Sequence, residues 1–208
     1  MFSQASKFFL VLKPEYNSLL LSHFEKYVNG AVSQVQRVER IKKVLSRERN
    51  TQNLGKRLNR LFLDAHFYFI CIGHIDRSLK KLGDNLRNQK LKDIYAQFKK
   101  DFDKEIRDDL EHLDERILGK RRGKPVSPAV KKSWYKDLVN FWGDQLSFGG
   151  NRYPVNRTAI KKLTTIYKDV VSVIRKDYAL KDPNFVRMEN TFQHIKFIKR
   201  TLKTTSKS

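Results

Sequence analysis

The chain has 208 residues, of which 39% are hydrophobic and 12% aromatic. This apolar content excludes a disordered chain and suits one domain with a sizeable core. Lys and Arg number 44 against 22 Asp and Glu, giving a formal net charge of +22, so a polyanionic partner is expected, with RNA or another nucleic acid as the first candidate.

The cysteine count and the apolar runs narrow the class of protein further. Residues 8–12 and 67–72 are the longest apolar stretches, and both are far too short to cross a bilayer. No secretory signal pattern is recognised at the start. Cys71 is the single cysteine, so an intrachain disulfide and a zinc finger are excluded. We expect a cytoplasmic protein with no membrane span, no metal site and no cofactor.

Helical spacing governs the first half of the chain. Apolar residues recur every three or four positions over residues 15–47, which predicts one long helix after Pro14. The polar stretch 47–53 interrupts this pattern, and a second helical run extends from Leu54 to Leu82. The sequence Gly83-Asp84-Asn85 predicts the end of this second helix and a cap for the next.

Two further helices follow. A third apolar run goes from Leu91 to Leu113 and stops before Gly119, and a fourth begins at Asn156 and reaches the breaker Lys181-Asp182-Pro183. Short links favour antiparallel neighbours. The sequence therefore predicts an all-α fold, an up-and-down antiparallel bundle of four long helices. Residues 1–184 would form one domain and residues 185–208 a basic C-terminal helix or tail.

Residues 119–155 differ in composition from the helices around them. They are basic and rich in aromatic residues, and Gly149-Gly150-Asn151 offers a turn. We predict a basic loop or a small β-hairpin inserted before the last helix. The aromatic residues of this insertion form either a satellite core or a platform for stacking bases; they are Trp134, Tyr135, Phe141, Trp142, Phe148 and Tyr153.

Charge is distributed unevenly around the start of this insertion. Residues 101–118 hold eight acidic and three basic side chains, whereas residues 120–136 hold seven basic side chains and no acidic one. Lys and Arg beside aromatic rings are typical of RNA-binding surfaces. The predicted RNA contacts are Lys120, Arg121, Arg122, Lys124, Lys131 and Lys132.

One motif in the acidic stretch carries a candidate chemistry. Arg107 and His112 lie five positions apart, and the polar Asp108 directly follows the arginine. This arrangement resembles the R-x-x-x-x-H signature of the HEPN superfamily, and the helix pattern of about residues 15–180 is similar to the fold of that family. The resemblance implies a metal-independent endoribonuclease, often a toxin or antiviral defence effector. Such enzymes act as homodimers whose two motifs meet at the subunit interface.

The residue chemistry agrees with the roles that the resemblance implies. His112 would be the general acid or base, since histidine titrates near neutrality and suits RNA cleavage by transesterification. Arg107 would stabilise the charge on phosphate, and Asp108 would orient the pair. Five positions on a regular helix are about 140° apart. The pair therefore shares a site only if the helix ends between them, if the arginine wraps round, or if two subunits each contribute a part.

A non-catalytic alternative stays open. Arg107 and His112 also suit a solvated helical face, where Arg107 pairs with Glu111 and His112 with Asp108. The protein would then be a nucleic-acid-binding or nucleotide-binding helical module without an active site. An acidic antitoxin or regulatory protein would suit the same positive charge.

The remaining histidines receive no catalytic role from the sequence. His66 and His74 lie in the apolar second run, eight positions apart, whereas a helical metal pair needs a spacing of four. We expect both to lie in or near the core rather than to bind a metal. His23 and His194 stand alone, and the sequence assigns them nothing.

Overall fold

A computed structural model describes residues 8, 11–47, 50–102, 120–121, 124–125, 127–129, 140–142, 144–148 and 151–187. These residues are mostly helical. The four main helices are α1 (Tyr16–Leu45), α2 (Thr51–Asn85), α3 (Gln89–Asp101) and α4 (Arg157–Asp177). The predicted all-α class is confirmed.

The four helices form a closed ring in which each packs against two neighbours. α1 contacts α2, α2 contacts α3, α3 contacts α4, and α4 returns to α1. Polar pairs show the direction of α4: Arg157 Nε lies 3.0 Å from Glu39 Oε2, while Tyr167 further along donates to Glu25. Short links make α1, α2 and α3 alternate in direction. Among the described residues, helices that pack against each other therefore run antiparallel.

The core follows the helical spacing of the sequence. Buried apolar residues of α1 and α2 recur every three or four positions, as an amphipathic helix requires; on α1 they are Leu21, Phe24, Val28, Ala31, Val35 and Val38. Burying one such large side chain stabilises the fold by about 1.5–3 kcal/mol. The N-terminal segment also joins the core, since Phe8 stacks on Phe185 with ring centroids 5.7 Å apart.

Asparagine side chains cap three of the four helices. Asn50, Asn88 and Asn156 each accept a hydrogen bond from a backbone N–H in the first turn that follows. The start of α4 after Asn156 is as predicted. α2 begins at Thr51, three residues before the predicted start at Leu54, because Asn50 provides a cap inside the polar stretch.

α2 ends at Asn85, within the predicted stretch 83–85, but Gly83 is not its C-terminal cap. The left-handed residue that follows the helix is Arg87, with φ of 47°. Gly83 instead allows close packing, since a Cβ there would lie 3.3 Å from Lys92 Cγ of α3. A glycine that allows close packing against α3 therefore has the same sequence pattern as a C-terminal cap.

α3 ends earlier than the apolar pattern predicts. The helix stops at Asp101, and Phe102 has an extended backbone with φ of −134° and ψ of 109°. The Phe102 ring is buried and stacks on Phe98 with centroids 5.0 Å apart. Phe102 therefore fits the apolar pattern because its ring is buried, although it lies beyond the end of the helix. Residues 103–119, over which the predicted helix continued, lie outside the described residues.

The insertion before α4 contains more strand than the predicted hairpin. Strands β1 (Lys120–Arg121) and β2 (Lys124–Pro125) form one antiparallel ladder. Strands β3 (Asn140–Trp142), β4 (Gln145–Phe148) and β5 (Asn151–Pro154) form a three-stranded antiparallel sheet.

This sheet packs on the bundle through buried residues of its last two strands. Leu146 pairs with Tyr153 across β4 and β5, and both are buried. The Tyr153 ring meets Phe69 of α2 edge-on, with centroids 6.0 Å apart. Tyr153 therefore belongs to a core rather than to a base-stacking platform. Trp134 and Tyr135 lie outside the described residues.

The C-terminal end of the described chain is helical over residues 183–187. The rest of the predicted C-terminal helix or tail lies outside the described residues. Within the described part, no helix has the length and apolar character that crossing a membrane requires.

Candidate nucleic-acid interface

The predicted catalytic residues Arg107, Asp108 and His112 lie outside the described residues. So do Arg122, Lys131 and Lys132 among the predicted RNA contacts. The other three basic residues belong to the first ladder: Lys120 and Arg121 form β1, and Lys124 begins β2 opposite Arg121. Lys124 is exposed.

A groove between α1 and α2 gathers a different set of polar side chains. It lies where α1 begins and α2 ends, and its volume is about 660 Å³. Ligand-binding clefts typically measure about 300–1,000 Å³. The groove is therefore large enough for a small ligand or for one unit of a polymer.

An antiparallel register between the two helices builds this groove. His23 Nδ1 lies 2.9 Å from Ser78 Oγ, and one turn further the Tyr27 ring stacks on His74, with centroids 4.0 Å apart. The next level is Gly30, where a Cβ would lie 2.9 Å from Cys71 Sγ. The helices approach closely there and leave room at the end where α1 begins.

Two cations line the α2 side of the groove. Arg77 and Lys81 are exposed and four positions apart, so they share one helical face. Among the described residues, no carboxylate lines the groove or forms an ion pair with either cation. The nearby Asp76 faces α3 instead, where it interacts with Tyr95. Burial of Tyr95 and then the charge and hydrogen bond of Asp76 raise the pKa of Tyr95 to about 12.

His74 positions the arginine of this pair. Arg77 Nη2 lies 3.4 Å from His74 Nδ1, and the His74 ring lies 7° from parallel to Tyr27 beneath it. A stacked imidazole thus restricts a long side chain that would otherwise sample many rotamers. The Arg77 guanidinium therefore has a side-chain partner beside the groove while it stays exposed to solvent.

His23 is the second histidine of the groove. The pKa of His23 is lowered below its usual value, mainly by burial and secondly by the charges of Lys26 and Arg77. This shift favours a neutral His23 ring near pH 7. When Nδ1 accepts from the Ser78 hydroxyl, Nε2 carries the proton and is a hydrogen-bond donor. The His23 and His74 centroids lie 5.3 Å apart, so both rings serve one site.

The α1 side of the groove is apolar and open to solvent. Tyr16 is 50% exposed and Leu19 is 59% exposed. Leu20 lies beside them, packed against the core. These two exposed apolar residues line the same groove as the two cations, which suits a ligand with an apolar ring better than a bare ion.

Sequence analysis did not predict this groove, although part of its residue pattern is visible in the sequence of α2. His74, Arg77, Ser78 and Lys81 follow helical spacing on one face of α2. His23 joins them across 55 positions of sequence, and no local pattern reveals that pairing. The expectation that His74 lies near the core overlooked its exposed edge in the groove. Among the described residues, no cluster of three or more potential metal ligands occurs.

No protein-family model, curated protein sequence or solved structure matches this chain. The resemblance to the HEPN superfamily therefore rests on Arg107, Asp108, His112 and the helix pattern alone.

Proposed function

We propose that this protein binds RNA and that the groove between α1 and α2 is one of its contacts. The observation that carries the proposal is the pair Arg77 and Lys81, which converge on a ligand-sized groove lined by no carboxylate of the described residues. A net charge of +22 adds long-range attraction for a polyanion. The ladder that contains Lys120, Arg121 and Lys124 is a second candidate contact.

A titration of the full chain against a fluorescently labelled single-stranded RNA tests this proposal. Anisotropy should rise on binding, and the logarithm of the association constant should fall linearly with the logarithm of salt concentration, because bound phosphates release counterions. Polyglutamate of equal charge is the competitor. The proposal fails if RNA does not bind at about 50 mM salt, or if polyglutamate displaces it at equal charge concentration, which would favour an acidic protein partner.

A second candidate function is RNA cleavage, which the motif at Arg107, Asp108 and His112 favours. The protein would be a metal-independent endoribonuclease, active as a homodimer, with Arg107 stabilising phosphate and His112 transferring a proton. As a toxin or antiviral effector it would be held in check by an acidic antitoxin or regulatory partner. The non-catalytic binding module remains its alternative.

Cleavage of labelled RNA in the presence of a chelator separates these two functions. We expect His112→Ala to abolish cleavage, a loss of about 100-fold or more, while RNA binding stays within twofold. His194→Ala is the matched control, since it removes a histidine outside the motif. A wild-type protein that binds RNA but never cuts it supports the binding module and contradicts the enzyme.

A further inference from the structure

The two sides of the groove between α1 and α2 differ in chemistry. Tyr16 and Leu19 expose apolar surface on one side, and Arg77 and Lys81 are cationic on the other. Exposed apolar surface beside convergent polar groups is typical of a binding site. A ligand that contacts both sides at once must carry a flat apolar face and a negative charge, separated by no more than the width of the groove.

A nucleotide has both features. The face of its base can stack on an aromatic ring, and its phosphate can accept hydrogen bonds from a guanidinium and an ammonium group. The rise between Arg77 and Lys81 is about 6 Å along α2, so one phosphate can lie between them. The groove volume of about 660 Å³ leaves room for the sugar.

Both histidines support the phosphate side of the groove. His74 stacks on Tyr27 and holds Arg77, and His23 is fixed by Ser78. The Nε2 atom of a neutral His23 adds one hydrogen-bond donor without adding a charge. These contacts are present without a ligand, so less side-chain entropy is lost on binding.

Only an unpaired nucleotide can use the apolar side. In a duplex the base faces are covered by their neighbours, whereas unpaired bases are free to stack on aromatic side chains. Phosphates, in contrast, are exposed in both single-stranded and duplex RNA. Tyr16 and Leu19 would therefore select single strands, while Arg77 and Lys81 would attract either form.

We propose that this groove holds one unpaired nucleotide, with its base against Tyr16 and Leu19 and its phosphate between Arg77 and Lys81. This inference rests on the proposed RNA-binding function and narrows its substrate class to single-stranded RNA.

Two double variants with matched controls test the two sides. Tyr16→Ala/Leu19→Ala should weaken single-strand binding about tenfold, because a stacked base is lost, and leave duplex binding within twofold. Its control is Leu63→Ala/Phe67→Ala, which removes equally exposed apolar residues of α2 outside the groove. Arg77→Ala/Lys81→Ala should weaken both forms, and its control Lys56→Ala/Lys80→Ala removes two exposed lysines of α2 that do not line the groove.

A titration with adenosine 5′-monophosphate keeps the inference testable without any variant. The imidazole proton signals of His23 and His74 should shift in the wild-type protein. If RNA binds but these signals do not move, or if each groove variant behaves like its control, the groove assignment is overturned and RNA binding stands. If RNA does not bind at all, the proposed function fails, and the monophosphate titration alone decides the groove.

Discussion

His23 couples protonation to folding at the scale of a single residue. Its pKa in the folded protein is lowered by burial and by the charges of Lys26 and Arg77. The unfolded chain, with an ordinary histidine pKa of about 6.5, therefore binds the proton more readily than the folded protein. This contribution to stability is fully present above about pH 6.5 and is lost as the pH falls toward the folded-state pKa.

We expect acidification from about pH 7.5 to pH 5 to lower the free energy of unfolding through this residue. His23→Gln keeps a hydrogen-bonding partner for Ser78 but cannot titrate, so the difference between wild type and variant isolates the effect. All other titratable groups are common to both proteins, so their contributions largely cancel. Urea denaturation at both pH values measures the difference; a difference that does not change, or that grows in favour of the wild type at low pH, contradicts the assignment.

The groove shows why a site formed between two helices is hard to predict from the sequence. Sequence analysis predicted a site of Arg, Lys and His side chains at Arg107, His112 and the insertion, and the first two of these positions lie outside the described residues. The groove brings together the same types from two helices, through a contact between His23 and Ser78. Such a pairing depends on the register of α1 against α2, which short-range patterns do not encode.

At the scale of the helix, the sequence predicted a helix boundary correctly where contacts between neighbouring residues determine that boundary. Asn156 predicted the start of α4 because its side chain caps the helix through neighbouring backbone N–H groups. Gly83 misled because its role is a close contact with Lys92 of α3. Phe102 misled because its ring is buried although its backbone has left the helix.

Gly30 is the position where the register of α1 and α2 can be tested. A Cβ there would lie 2.9 Å from Cys71 Sγ, closer than a real contact allows. Gly30→Ala should therefore destabilise the wild-type protein by about 1–3 kcal/mol through overpacking. In a Cys71→Ala background the clashing sulfur is gone, and the same change should stabilise by up to about 1 kcal/mol through helix propensity.

The sign change between the two backgrounds is the diagnostic result, and urea denaturation of all four proteins measures it as a double-mutant cycle. Gly55→Ala is the matched control, because a Cβ at Gly55 meets nothing within 4 Å and should give only the propensity gain. Additive effects of the changes at Gly30 and Cys71 would show that these residues do not touch.

At the scale of the whole molecule, periodicity predicted the bundle, while the closure of the ring depends on distant pairs. α3 and α4 meet through Lys90 with Asp177 and through Lys162 with Asp101. Asn88 and Lys90 hold the pKa of Asp177 below its usual range. These pairs join elements separated by the whole insertion, so the helical spacing indicated the fold class but did not determine which residues of α3 and α4 meet.

The excess of positive charge should itself weaken the fold at low ionic strength. With a net charge of +22, like charges repel one another throughout the compact state, and salt screens this repulsion over a Debye length of about 10 Å at 0.1 M. We expect the melting temperature to rise between about 20 mM and 300 mM sodium chloride. Relief of about 1 kcal/mol corresponds to about 2–4 °C for a chain of this size.

Lys56→Glu/Lys80→Glu provides the comparison, because each replacement lowers the formal charge by two at an exposed position outside the groove. The rise in melting temperature with salt, measured by circular dichroism, should be smaller in this variant. Exposed ion pairs such as Lys42 with Asp144 weaken in salt. A melting temperature that falls with salt would mean that such pairs outweigh the repulsion, and that the positive charge is already balanced within the fold.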